Sequence, residues 1–91
     1  MTASLDARDP LAVRLERVRR VRLFCVLLAR GRPLSFAQIR SLAERDPILS
    51  RRRLTGDLRA LVELGLVTRC HLPGARPDYA PSLAARRNVK P

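Results

Sequence analysis

Apolar residues recur at helical spacing through the first third of the chain. Leu11, Leu15, Val18, Cys25 and Leu28 fall close to one stripe at about 100° per residue. Asp9-Pro10 stands just ahead of it, a capping residue followed by a proline suited to the first helical position. Gly31 closes it as a residue able to turn left-handed. The pattern predicts a helix over 10–30 with Arg14, Arg17, Arg19 and Arg20 turned outward in its first half. From Val21 to Leu28 the segment is apolar almost all round, which predicts burial on several sides, with Cys25 as a small core residue.

Ser35-Phe-Ala-Gln38 is a capping-box pattern and opens a second helix of about ten residues. Phe36, Ile39, Leu42 and Ala43 lie on one side of it, and Asp46-Pro47 stops it. After Ile48-Leu49, Ser50 can cap a third helix reaching Leu64, with Leu54, Leu58, Leu61 and Val62 inward and Gly65 beyond its end. Its other face carries Arg52, Gly56, Arg59 and Glu63, with Arg53 nearby. Leu66 to Leu72 then alternates at period two and is rich in β-formers. Pro73-Gly74 is a turn pair, and Asp78-Tyr79-Ala80 can return as the partner strand of a short hairpin. From Ser82 onward the chain is a basic tail (Arg86, Arg87, Lys90), with one helical turn and disorder both open.

Composition sharpens this outline. In 91 residues there is room for a single core, and with 46 % hydrophobic but only 3 % aromatic residues (Phe24, Phe36, Tyr79) aliphatic side chains must fill it. Lys+Arg number 19 against 8 Asp+Glu, a formal charge of +11. Every basic residue except Lys90 is arginine, whose fork pairs bidentately with phosphate and with guanine edges. A polyanionic partner is expected. Cys25 and Cys70 form neither a disulfide framework nor a CxxC pair. The polar opening, with two acids, is unlike a signal peptide, and the apolar run Leu23 to Ala29 is too short to span a bilayer. A soluble cytoplasmic, nucleoid-associated protein with no membrane partner is the expectation.

Three helices with a tight connection between the second and third, then Gly65-Leu66-Val67 and a hairpin through Tyr79, resemble a winged helix-turn-helix domain. The carrying residues are Pro33-Leu34-Ser35, the stretch Ser50 to Leu64, and the run Leu58-x-x-Leu61-x-x-x-Gly65-Leu66-Val67. Gly65-Leu-Val-Thr-Arg69, followed by a glycine turn and Tyr79, is similar to the DNA-binding half of ferric uptake regulators and to several small phage and plasmid repressors. The metal-sensing half of those regulators has no counterpart here, since His71 stands alone. The resemblance covers roughly 11–81. It implies a mainly α fold with a small β-hairpin, a three-helix winged helix-turn-helix domain over 10–81. Residues 1–9 are then a flexible leader and 82–91 a basic tail.

What it implies for function is sequence-specific binding of double-stranded DNA by a small transcriptional regulator. The third helix, about 50–64, would enter the major groove, which admits one α-helix. The hairpin wing, 66–81, would touch the flanking backbone. Ser50, Arg51, Arg52, Arg53, Thr55, Gly56 and Arg59 are the candidate residues of that helix. Arg52 and Arg59, seven apart, are expected to face one way, with Arg52 or Arg59 reading guanine while Arg51 and Arg53 mostly grip phosphate. A glycine inside a helix costs about 1 kcal/mol against alanine, and close approach to a groove floor gives Gly56 a reason. Arg69 and Arg76 flank the wing, with Arg76 at its tip, and Arg32 and Arg40 are candidate backbone clamps around the start of the second helix.

Other chemistries are poorly supplied. A lone His71 next to Cys70 on a strand cannot easily share a proton with it, because neighbours there point to opposite faces. No phosphate loop, carboxylate pair or metal-ligand spacing is present. Hence no enzyme, no metal, no cofactor and no small-molecule ligand are expected. The competing function is a protein-interaction winged-helix module docking on a polymerase or another regulator, and Leu11, Val13 and Leu15 offer a docking or dimerisation surface. Single-stranded RNA reading would need more exposed aromatics than three. One small domain buries little DNA, so a homodimer on a two-fold site is expected.

Overall fold

Asp9 Oδ1 accepts the Leu11 N–H at 3.0 Å, and Pro10 occupies the first turn, where its missing donor costs nothing. Helix α1 (Pro10–Arg30) runs from there until Gly31 turns to φ +67°. The computed structural model describes residues 9–71 and 73–88. The rest of the expected leader, Leu72 and the tail residue Lys90 lie outside the described residues, as do the side chains of Arg86 and Arg87.

Burial along α1 corrects the stripe expected from the sequence. Leu23 and Leu27 are its buried residues, whereas Leu11 is 62 %, Leu15 56 % and Val18 52 % exposed. Cys25 is exposed rather than a core residue, and Val21 is exposed as well. At about 100° per residue, Leu11, Leu15, Val18 and Cys25 share the side of the helix turned away from Leu27. Leu23 and Leu27 meet the core, with Phe24 and Val26 packed partly against it on either side, so the second half of α1 is covered over a broad face but not all round. Arg19 and Arg20 are also not outward: both reach inward to Asp57.

Ser35 belongs to two elements. With Leu34 it forms the two-residue strand β1 (Leu34–Ser35), and it caps helix α2 (Phe36–Arg45). Its Oγ accepts the Gln38 N–H at 3.2 Å, and its own N–H donates to Gln38 Oε1 at 2.9 Å, completing the expected capping box. Ile39 and Ala43 are buried, Phe36 and Leu42 pack partly against the core, and Asp46 takes an extended conformation that ends the helix before Pro47.

The third helix starts later than the sequence suggests. Ser50 Oγ and its carbonyl both accept the Arg53 N–H, at 3.3 and 3.2 Å, and Leu54 N–H reaches the Arg51 carbonyl at 3.4 Å. These bonds close a tight turn over 51–53, and helix α3 occupies Leu54–Glu63 with no side chain capping its N-terminus. Ser50 therefore caps a turn and not the helix. At the other end, Leu66 N–H donates to the Leu61 carbonyl and Gly65 N–H to the Val62 carbonyl, both at 3.0 Å, with Gly65 at φ +78°. This paired closure needs a left-handed residue, which is why glycine stands there.

Strands β2 (Val67–Cys70) and β3 (Asp78–Pro81) form the hairpin, and Gly74 takes φ +77° in its turn. β2 does not alternate as expected: Val67 is buried, and Thr68, Arg69 and Cys70 are all exposed. A third strand, absent from the sequence reading, completes an antiparallel sheet of order β1-β3-β2, with Leu34 opposite Tyr79 and Ser35 opposite Asp78. The part of β3 that β1 reaches stops at Tyr79, so Pro81 lacks a donor where only β2 lies beside it. Ser82 then donates N–H to the Leu66 carbonyl and O–H to the Gly65 carbonyl, and its Oγ accepts the Ala85 N–H. The chain continues as α4 (Leu83–Asn88), with Ala85 buried.

The fold is thus mainly helical with a small three-stranded antiparallel sheet. Among the described residues it has four helices and not three. Its core is aliphatic, as the composition requires: Leu23, Leu27, Leu34, Ile39, Leu54, Leu58 and Leu61 meet at its centre, with Phe24, Phe36 and Tyr79 only partly buried against it.

Candidate nucleic-acid interface

Helix α3 divides cleanly into two faces. Leu54, Asp57, Leu58 and Leu61 are buried, while Thr55, Gly56, Arg59 and Glu63 are exposed. A Cβ added to Gly56 would meet nothing within 4 Å, so packing does not require glycine there. Arg52 and Arg53 are exposed in the turn before the helix. Arg52 and Arg59 consequently do not stand two turns apart on one helix, and the paired register expected of them is lost. Arg52 instead belongs to a basic turn leading into an N-terminus that no side chain caps.

A groove joins the outward face of α3 to the sheet. Thr55 and Arg59 line one wall, Arg69 and Tyr79 the other, and Phe36, Leu58 and Val62 contribute apolar surface. Arg69 and Tyr79 are cross-strand partners in the β2–β3 register, which places both beside α3. Glu63 also lines this groove and brings an acid into it. Phe36 borders a second depression, where Arg40 of α2 and Arg76 of the returning loop meet beside Ser35. Arg76 therefore lies against the start of α2 and not at the hairpin tip, which is formed by Pro73 and Gly74. Arg32 is set apart from both groups. It shares a third depression with Arg30, Gln38 and Ser41.

The acids explain which arginines remain uncommitted. Asp57, 2 % exposed, accepts Arg19 Nε at 2.5 Å and Nη2 at 2.9 Å, and Arg20 Nε at 3.0 Å. The hydrogen bonds it donates to Asp57 hold the Arg19 guanidinium above its usual range against the opposing pull of burial, so it stays charged. Glu16 pairs with Arg20 at 3.3 Å, and Asp46 with Arg22 at 2.7 Å. Of the candidate residues, Arg51 alone is tied to an acid among the described residues, through Glu44 at 2.9 Å on the surface. Arg32, Arg40, Arg52, Arg53, Arg59, Arg69 and Arg76 form no ion pair among the described residues.

Sequence reasoning missed Phe36 and Tyr79 as groove residues. Counting register through the Pro73-Gly74 turn would have set Asp78 and not Tyr79 opposite Arg69, so the observed pairing is one residue off what the turn suggests, and nothing local links Phe36 to the hairpin. Cys70 is exposed, and no group of three metal-binding side chains occurs among the described residues. No described helix is long and apolar enough to cross a membrane. No protein-family model matches the chain, and no match is found among curated proteins or solved structures.

Proposed function

We propose that the chain is a winged helix-turn-helix domain that binds double-stranded DNA and acts as a small transcriptional regulator. The outward face of α3 enters the major groove, and the β2–β3 hairpin lies along the flanking backbone. One observation carries this reading: Glu16, Glu44, Asp46 and Asp57 pair with Arg19, Arg20, Arg22 and Arg51, while the guanidinium groups of Arg52, Arg53, Arg59 and Arg69 around α3 pair with no acid among the described residues, although Glu63 lines the same groove. Solvated arginines in the turn before α3, at Arg59 on a helix of groove-fitting diameter, and at Arg69 beside it suit a duplex. Exposed Gly56 lets the helix backbone approach the bases closely, and the uncapped start of α3 adds N–H groups that favour a phosphate. Arg59 and Arg69, which share one groove, are assigned to neighbouring positions on the DNA, with Arg59 the nearer to base edges. Arg40 and Arg76 grip a phosphate beside the start of α2.

Gel-shift titrations on random and genomic duplexes test this, with Arg52→Ala and Arg59→Ala beside the wild type. Loss of a bidentate base contact should weaken Arg59→Ala by about 1–3 kcal/mol on preferred sites and relax its preference there. Arg52→Ala, in the turn, should weaken all duplexes alike, as a phosphate contact does. Wild-type protein that binds no duplex at low salt would overturn the proposal.

A further inference from the structure

The outward side of α1 is apolar along much of its length, and nothing among the described residues covers its first half. Leu11, Leu15 and Val18 are each more than half exposed at steps of four and three residues, and the same line continues through Cys25 and Ala29. Arg22 interrupts it, but its guanidinium is drawn aside to Asp46 at 2.7 Å. At the far end the line opens into a groove between α1 and α2, where Val26 and Leu42 supply apolar surface, Asp46 is taken up by Arg22, and Arg30 and Arg45 supply positive charge without an ion pair among the described residues. Arg14, exposed and without an ion pair among the described residues, flanks the other end.

We infer that this stripe and groove dock an acidic amphipathic helix from another protein. Its apolar residues, at steps of three and four, would lie on Leu11, Leu15 and Val18 and enter the α1–α2 groove. Its carboxylates would meet Arg14, Arg30 and Arg45. Charge complementarity selects this occupant over a second copy of the chain. Two copies of α1 would bring Arg14 against Arg14 if parallel, or against Arg22 if antiparallel about Val18, and each chain carries +11. Geometry selects it over an anionic membrane. A bilayer surface reaches the convex stripe, whereas the recess at Val26 and Leu42 accepts side chains from a helix lying across it. The surface is separate from the α3 groove and does not depend on DNA binding.

Fluorescence anisotropy with the full chain tests the inference, using a labelled synthetic helix of about twenty residues, with leucines on one face and glutamates on its flanks. That peptide should bind at least about tenfold more tightly than a scrambled version of equal composition and than a lysine-flanked version. Val18→Asp and Arg45→Glu, both at exposed positions and checked for native circular dichroism, should each weaken it by about tenfold. Arg14→Glu combined with Arg45→Glu should transfer preference to the lysine-flanked peptide. Equal binding of the scrambled peptide, or no loss in either single variant, overturns the inference. So does a dimer of the chain alone that Val18→Asp dissociates, or binding to phosphatidylglycerol vesicles with none to the peptide.

Discussion

Asp57 is the side chain on which most of the electrostatic order converges. It carries a charge into the core, and the forks of Arg19 and Arg20 meet it there. Removing one member of a buried ion cluster leaves the others desolvated and unpaired. Asp57→Ala is expected to cost about 3 kcal/mol in urea denaturation, and replacing Asp57 and Arg19 together by leucine and methionine should recover most of that. By contrast, the surface pair of Arg51 and Glu44 should contribute under about 1 kcal/mol. Asp46 behaves differently with pH. Its carboxylate is held below the ordinary range, first by the Ile48 N–H and then by Arg22. A lowered folded pKa gives stability that is complete above the unfolded value, about 3.9, and drains away as pH falls through the folded one. Asp46→Asn should therefore be less stable than wild type near neutrality, and the gap should close as the solution is acidified below about pH 4. Urea melts of both proteins across that window measure it. None of these partnerships was legible in the sequence. Asp57 and its arginines are 37 and 38 residues apart, and only the packing of α1 on α3 brings them together.

Local signals, in contrast, specified the helix ends well. The Asp9 cap, the Ser35–Gln38 box, the left-handed Gly31 and Gly65 and the Pro73-Gly74 turn all depend on residues within a few positions of one another. Two elements were misread for reasons that locality also explains. Ser50 has the chemistry of a helix cap, but its hydroxyl closes a turn and the helix begins at Leu54. Strand β1 is two residues long and exists only through pairing with β3, so no pattern in its own sequence announces it. The apolar repeat on α1 was real, but periodicity cannot say which of two apolar sides meets the core. Gly56 within α3 and Gly65 just beyond its end give an opposed pair of predictions. Gly56→Ala, in open space on an exposed helical face, should stabilise the protein by about 1 kcal/mol. Gly65→Ala, at φ +78°, should destabilise it by about 1–2 kcal/mol. Thermal melts that moved in the same direction for both would contradict these backbone assignments.

Across the whole molecule, positive charge far exceeds what the acids can balance. The fold places its described ion pairs among α1, α2, α3 and the turn before α3, and leaves the hairpin arginine Arg69 and the loop arginine Arg76 without one. If about six phosphates are neutralised on a duplex, the logarithm of the binding constant should fall against the logarithm of salt with a slope of about −5. A slope near zero would remove nucleic acid as the partner. The dual membership of Ser35 bears on how such a partner would be felt. Because this one residue ends a strand of the sheet and begins α2, the hairpin cannot swing as a loose flap. Force applied along it arrives, by way of Asp78 and Ser35, at the first turn of α2, so anything gripping both would be holding the two arms of a single lever.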